Sequence, residues 1–257
     1  MDHLLKEERQ HIILELLQEK KRVTVPQLSK HFGTSEVTIR RDLADLAAEG
    51  KITRAHRGAL RVESAPPEPP VLQRMAIERE DKERIAQAAI ELVNDGDSVF
   101  IGSGSTMACF GRFLECKQRL TVVTNALNIA ADLSALDCDM TIIVTGGVVR
   151  KPELSLLGHL AEGILPEVRV SKVFMGMQAI SLEGGLTSDH LPEISTTRKI
   201  FDMASELIVL ADHTKLNRTA AALITPLKRM TTLVTDSQAD PKFLDELRER
   251  GITVIIA

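Results

Sequence analysis

Residues 24–50 read TVPQLSKHFGTSEVTIRRDLADLAAEG, and the fold of the first quarter of the chain turns on them. Thr24 and Gln27 have the spacing of a capping box, and Pro26 falls in a first turn, where its missing amide costs little. A short helix therefore begins after Thr24, turns Leu28 and Phe32 inward and stops at Gly33. Ser35 is a good N-cap for the next helix, which runs to about Glu49 with Ile39, Leu43 and Leu46 as its buried stripe. Gly50 ends it. Upstream, Leu5, Ile12, Ile13, Leu16 and Leu17 recur at helical spacing across residues 4–19. Downstream, two short strand-like pieces, 51–54 and 59–62, flank a turn at His56-Arg57-Gly58.

Three helices with a Gly-containing turn between the second and third, followed by a two-stranded hairpin, describe a winged helix-turn-helix. The third helix carries Ser35, Glu36, Thr38, Arg40 and Arg41 off its apolar stripe. Such a helix lies in the major groove of double-stranded DNA, where Arg reads guanine through two hydrogen bonds. Thr24 stands at the start of the second helix as a further DNA contact. The wing, with Lys51, Arg54, His56 and Arg57, suits phosphates or the adjacent minor groove. The plainer reading is that a charged helix face is simply solvated, and periodicity alone does not separate the two.

The totals fit a soluble protein. Of 257 residues, 44% are hydrophobic and 26% charged, and the net charge is -4. An even spread of that charge would oppose a nucleic-acid partner. Yet Lys51, Arg54, Arg57 and Arg61 lie between Gly50 and Val62 with no acid among them, and local charge decides what approaches a face. Three cysteines (Cys109, Cys116, Cys138) without CxxC spacing imply reduced thiols, read as small buried hydrophobes, and no zinc site. Aromatics are 3%, all Phe, which argues against stacking platforms for single strands. No apolar run long enough for a membrane span occurs and the N-terminus is charged, so a cytoplasmic protein without membrane contact is expected.

Four of the ten prolines fall in residues 63–70, a semi-rigid linker by composition. The expected domains are therefore a DNA-binding head over 1–62, a linker over 63–72 and a larger α/β domain over 73–257. In the last, an amphipathic helix over 81–94 precedes apolar strands at 98–101, 120–123, 140–144, 172–175, 207–210, 232–234 and 252–256. Helical stretches lie between most of them, at about 105–115, 126–136, 158–165, 192–204 and 240–250. Alternation with near-continuous apolar strands implies a largely parallel sheet covered on both faces. Ligands bind at the carboxyl ends of such strands.

The run Ser35-Glu36-Val37-Thr38-Ile39-Arg40-Arg41-Asp42-Leu43, with Thr24-Val25 and Phe32-Gly33 before it and Leu46, Gly50-Lys51-Ile52 and Arg54 after it, resembles the DeoR family of bacterial transcription regulators. Arg9 matches an arginine that the family carries ahead of this run. The wing departs from it, with Arg57 in Arg54-Ala55-His56-Arg57-Gly58-Ala59 where many members have glycine. The resemblance continues through Glu80-Asp81-Lys82, Gly102-Ser103-Gly104-Ser105-Thr106, Thr124-Asn125, Gly146-Gly147, Gly158, Phe174-Met175-Gly176, Gly185-Leu186-Thr187, Asp212-His213-Thr214-Lys215 and Thr235-Asp236. It implies a second domain with the fold of ribose-5-phosphate isomerase, acting as a sensor for a phosphorylated sugar or related metabolite.

Residue chemistry bears on the same positions. Gly102 to Thr106 follow a strand and open a helix, so backbone amides and hydroxyls can meet an anion; the alternative is a tight corner and nothing more. Lys215 is either a fixed positive charge for a ligand or a solvated loop lysine. Asp212 either accepts from sugar hydroxyls or caps a turn. Thr124-Asn125, Gly146-Gly147 and Gly176 end strands, as ligand contacts or as turn chemistry. Glu193, near His190, either orients a ligand hydroxyl or complements a helix dipole. The expectation is a regulator, in sense a repressor of a carbohydrate operon, self-associated as a dimer or tetramer. No cofactor, metal or catalytic residue is expected. An active sugar-phosphate isomerase is the alternative; against it, Met175 to Ile180 contain no acid where the fold's isomerases hold their catalytic carboxylates. A nonspecific DNA-coating protein is a third reading.

Overall fold

The structure, a computed structural model, describes residues 6–20, 22–48, 52–55, 58–61 and 69–257. The chain divides into two compact units, Met1–Pro67 and Glu68–Ala257.

In the first unit, α1 (Lys6–Lys20) leads through a short strand β1 (Arg22–Thr24) into α2 (Val25–Phe32), α3 (Glu36–Ala48) and the strands β2 (Ile52–Ala55) and β3 (Gly58–Arg61). The Thr24–Gln27 capping box forms in both directions, Pro26 lies in the first turn and Gly33 closes α2. The Ser35 hydroxyl accepts the Thr38 amide at 3.2 Å, which makes it the N-cap of α3. Ile13, Leu17, Leu28, Ile39, Leu43 and Leu46 form the core of this unit, each at most 2% exposed. Burying such a side chain contributes roughly 1.5–3 kcal/mol. The expected two-stranded hairpin is instead a three-stranded sheet in the order β1-β3-β2, because Arg22–Thr24 pairs antiparallel with the last strand. Leu5, Lys51, His56, Arg57, residue 62 and residues 63–68 of the expected linker lie outside the described residues.

The second unit begins with a single helical turn, α4 (Val71–Arg74), whose Val71 is fully buried, and continues into α5 (Arg79–Ile90). The chain then runs through β4 (Ser98–Ile101), α6 (Ser105–Phe113), β5 (Leu120–Thr124), α7 (Leu127–Ser134), β6 (Met140–Val144), β7 (Val148–Arg150), β8 (Ser155–Leu157) and α8 (His159–Ile164). It ends with β9 (Lys172–Gly176), β10 (Ala179–Ser181), β11 (Gly185–Ser188), α9 (Leu191–Phe201), β12 (Glu206–Leu210), β13 (Ala222–Thr225), β14 (Thr232–Thr235), α10 (Pro241–Glu249) and β15 (Thr253–Ile256). Seven strands form one sheet in the order β15-β14-β12-β9-β4-β5-β6, and every neighbouring pair is parallel.

Alternate residues of the central strands feed two cores. Val99 and Ile101 pack with Ile85, Ala89 and Phe110 on one face, while Phe100 packs with Val173, Ile200 and Leu207 on the other. Burial on both faces is the physical reason those strands are apolar throughout. A β7–β8 hairpin and an antiparallel sheet β10-β11-β13, neither expected from sequence, sit beside the main sheet in the topology. The cysteines depart from expectation: Cys109 is buried, but Cys138 is only partly so and Cys116 is exposed, since it ends the short helical turn 114–116 rather than facing the sheet.

Candidate nucleic-acid interface and effector site

On α3 the structure separates bracing residues from presenting ones. Asp42 is 2% exposed, and its carboxylate accepts from Arg9 Nε at 2.5 Å and Nη2 at 3.1 Å. A two-pronged ion pair thus fastens α1 to α3. The opposite face holds Glu36 and Arg40, joined one turn apart at 3.3 Å, and Arg41, which is exposed and forms no ion pair among the described residues. Val37 is 64% exposed one turn before Arg41. Sequence reading passed it over because an apolar residue off the stripe gives no polar signal. Ser35 and Thr38 share a hydrogen bond at 3.0 Å within the cap, and Thr24 caps α2. Arg54 belongs to β2, but its side chain, like Lys51, His56 and Arg57, lies outside the described residues.

In the second unit, β4 is followed by β5 and β6 on one side and by β9, β12, β14 and β15 on the other. The strand order therefore reverses beside β4, and the crevice at the carboxyl ends of β4 and β9 is where a doubly wound sheet takes its ligand. Gly102 to Thr106 occupy that place. The Gly102 amide bonds to the Phe174 carbonyl at 2.9 Å, and a Cβ on Gly102 would strike Met175 Sδ at 2.2 Å, so the loop lies flat against β9. Gly104 has φ +130°, a conformation side chains rarely adopt, and it delivers the chain into α6. The first-turn amides of α6 have no intrahelical acceptor, so its start offers donors of the kind an anion accepts.

The other expected residues sort by what they touch. Gly176 ends β9 beside the Ser103 carbonyl. Thr124 is fully buried and serves turn chemistry: its hydroxyl donates to the Ile101 carbonyl at 2.7 Å and accepts the Ala126 amide at 3.1 Å. Asn125, the next residue, is 5% exposed; its Nδ2 reaches the Leu156 carbonyl at 3.4 Å, while its Oδ1 is buried with no partner among the described residues. Gly147 is a packing glycine, since a Cβ there would lie 2.6 Å from the Leu157 carbonyl, and Gly146 precedes it in the turn after β6. Asp212 caps the 213–215 turn by accepting the Thr214 amide at 3.0 Å. Glu193, in the first turn of α9, accepts from Arg150 at 3.1 Å and from the Ser155 hydroxyl at 2.7 Å.

Two residues without a sequence assignment, Glu153 and Arg74, stand beside the loop, and Lys82, which carried the resemblance but no site role, is tied to Arg74. Glu153 Oε1 lies 3.7 Å from the place a Cβ on Gly104 would occupy. The same carboxylate pairs with Arg74 and stands 3.9 Å from Arg150. Lys82 is 4% exposed, and its ammonium donates to the Arg74 and Ile77 carbonyls. Burial pushes Lys82 below the usual lysine range, against the pull of Asp212, and Lys215 and Arg74 add to the lowering. Arg74, Lys82 and Lys215 are thus close enough to feel one another. Glu153 and Asp212 lie among these cations as their acidic counterparts.

Asp81, His213 and Asp236 also converge, their ligand-type atoms lying within 4.8 Å of one another. The oxygens already accept from Arg84 and Gln238 on Asp81, and from the His213 amide, the Gln238 amide and His213 Nδ1 side on Asp236. This is a hydrogen-bonded knot tying α5 to the turns after β12 and β14. No helix among the described residues is long and apolar enough to cross a membrane.

A helix-turn-helix unit with a small sheet, followed by a doubly wound parallel sheet, defines a two-part DNA-binding regulator. Residues 9–65 match the DeoR-like helix-turn-helix domain and residues 77–237 match the DeoR C-terminal sensor domain. The HTH-type transcriptional regulator GlpR of Haloferax volcanii is 31% identical, covering 98% of both chains. The HTH-type transcriptional regulator GolR of Listeria innocua is 30% identical over 97% of this chain and 98% of its own. The glycerol-3-phosphate regulon repressor of Escherichia coli K12 is 29% identical over 95% of this chain and 96% of its own. Among solved structures, ribose 5-phosphate isomerase A from Methanocaldococcus jannaschii aligns over 54% of each chain at 20% identity and a TM-score of 0.40. The chain belongs to the DeoR family, and it is a DNA-binding transcription regulator.

Proposed function

We propose that the protein is a repressor of a carbohydrate-metabolism operon whose second unit senses a phosphorylated sugar or similar metabolite. One observation carries the sensing half: a glycine-turned helix start at the switch point of the sheet, with Arg74 brought to it through Glu153, Lys82 in electrostatic reach of Arg74 and Lys215, and the buried Asn125 Oδ1 lacking a donor. A phosphate suits the amides and cations, and a ligand hydroxyl suits Asn125. The names of the relatives, a glycerol-3-phosphate regulon repressor among them, agree with this chemistry.

In the DNA-binding unit, Arg41 reads guanine and Val37 covers a neighbouring thymine methyl, while Glu36 orients Arg40 toward base or phosphate. Lys51, Arg54, His56 and Arg57 of the wing add backbone contacts. The protein acts in the cytoplasm as a homodimer or homotetramer, because paired heads read two-fold operators. A ligand that prefers the non-binding arrangement weakens DNA affinity, and DNA weakens ligand affinity by the same factor. The reading is of a sensor without turnover, since Met175 to Ile180 offer no acid to serve as base. Thermal shifts against sugar phosphates, with the free sugars as controls, test it. A ligand at about 100 times its Kd adds roughly 2.7 kcal/mol. A shift with one phosphorylated compound supports the reading, and none across the panel removes it. Turnover of any pentose or hexose phosphate would restore the enzyme.

A further inference from the structure

The carboxylate of Glu153 lies beside the glycine loop, with Oε1 3.7 Å from a Cβ position on Gly104, the residue that precedes the first turn of α6. Glu153 is 8% exposed and is held there by the Arg74 guanidinium. Arg74 in turn donates through Nε to the Pro69 carbonyl at 2.9 Å. The same segment is fastened twice more, by the Val71 amide to the Pro152 carbonyl at 2.7 Å and by Lys82 to the Arg74 and Ile77 carbonyls. Residues 69–77 are the first described stretch after the proline-rich run that joins the two units in sequence. A phosphate taken up by the amides just past Gly104 would come close to this largely buried carboxylate, and the two negative charges would repel each other. Both cannot stay.

We propose that Glu153 is a stand-in for the effector's anionic group, and that binding expels it and transfers Arg74 from Glu153 to the ligand. This rests on the anion-sensing reading of the loop and adds its regulation. Arg74 then becomes an effector-binding residue, contributed by the segment that leads to the DNA-binding unit. Loss of the Arg74–Glu153 pair loosens the hold of 69–77 on residues 152–153, which gives ligand binding a mechanical outlet toward the linker. Neither residue signals this in sequence, because 79 positions separate the partners.

The test titrates inorganic phosphate into the full-length protein, with chloride at matched ionic strength as control, and compares wild type with Glu153→Gln and Arg74→Met. Calorimetry reads affinity, and hydrogen exchange reads the amides of 69–77. The proposal expects phosphate to bind at least tenfold more tightly to Glu153→Gln and more weakly to Arg74→Met. It also expects phosphate to speed exchange of 69–77 in wild type, and Glu153→Gln to show fast exchange without phosphate. Phosphate binding to wild type with equal affinity for Glu153→Gln and unchanged exchange would overturn the stand-in while leaving the sensing reading intact. No phosphate binding to any folded variant would overturn both. Should Glu153→Gln fail to fold, wild-type exchange with and without phosphate decides alone.

Discussion

Asp42→Asn separates stability from DNA reading within one helix. Asp42 is 2% exposed, and the Arg9 side chain that grips it is 12% exposed. Replacing the carboxylate by an amide removes the charge that Asp42 sets against a largely buried guanidinium, and breaking a buried pair costs about 3–5 kcal/mol. The residual exposure of Arg9 places the expectation at the low end, about 3 kcal/mol. The unit Met1–Pro67 is small, and at roughly 0.05–0.15 kcal/mol per residue its whole stability is about 3–10 kcal/mol. The substitution therefore removes a third or more of it. Hydrogen exchange of the full-length protein reads this directly: amides along 13–17 and 39–46 should exchange about 100-fold faster, at 1.4 kcal/mol per factor of ten. Amides of β4 and β9 should not change. The double variant Arg9→Met/Asp42→Leu should recover most of the loss, because apolar replacement of a buried pair is often close to neutral. Unchanged exchange in Asp42→Asn combined with lost operator binding would refute the brace and make Asp42 a DNA contact.

Arg41→Ala should weaken operator binding by about 1–3 kcal/mol in fluorescence anisotropy with no fall in melting temperature, and Val37→Ala should remove the preference for thymine over uracil at one operator position. Retained affinity in Arg41→Ala removes the α3 assignment. Lys215→Ala should keep operator binding and lose the response to metabolite, as read in the same assay. Gly147→Ala forces a Cβ to 2.6 Å from the Leu157 carbonyl at a φ of +114°, and should cost about 2–4 kcal/mol in a thermal melt. Asp97 sits 2.7 Å from Lys172; burial raises its proton affinity, but hydrogen bonds from Lys172 and the Asn94 amide outweigh this and hold it below the usual carboxylate range. Its contribution is present above the unfolded value near 3.9 and is lost as pH falls through the folded one. Urea denaturation should show Asp97→Asn less stable than wild type by about 1 kcal/mol at pH 7 and level with it well below pH 3.

Much of this molecule is legible in its sequence wherever the physics is local. The α2 and α3 caps are set by residues three apart, and the parallel strands announce themselves because both faces must be apolar. The strands missed are β1, β7, β8, β10, β11 and β13, of three or four residues each, too short for a period to emerge. β1 hides in the lead-in to the Thr24 cap, and only its pairing with a strand 34 to 38 positions on, Arg22 opposite Leu60, Val23 opposite Ala59 and Thr24 opposite Gly58, reveals it as a strand. The glycine loop was visible as a loop. Its setting was not, because Glu153, and Arg74 through it, come to it from distant segments, and a charged residue in isolation looks solvated. Thr124 and Gly147 carried the opposite ambiguity, and contact geometry gives both a structural task.

If one anionic metabolite at the glycine loop controls the grip on DNA, that control must appear in the operator affinity. The most direct measurement is the operator affinity of the full-length protein, by fluorescence anisotropy on a site selected from random DNA, with each sugar phosphate and its free sugar. One phosphorylated compound should shift the affinity at least tenfold, its free sugar should not, and Lys215→Ala should abolish the shift. An affinity unmoved by every phosphorylated compound, or moved equally by a free sugar, would contradict it.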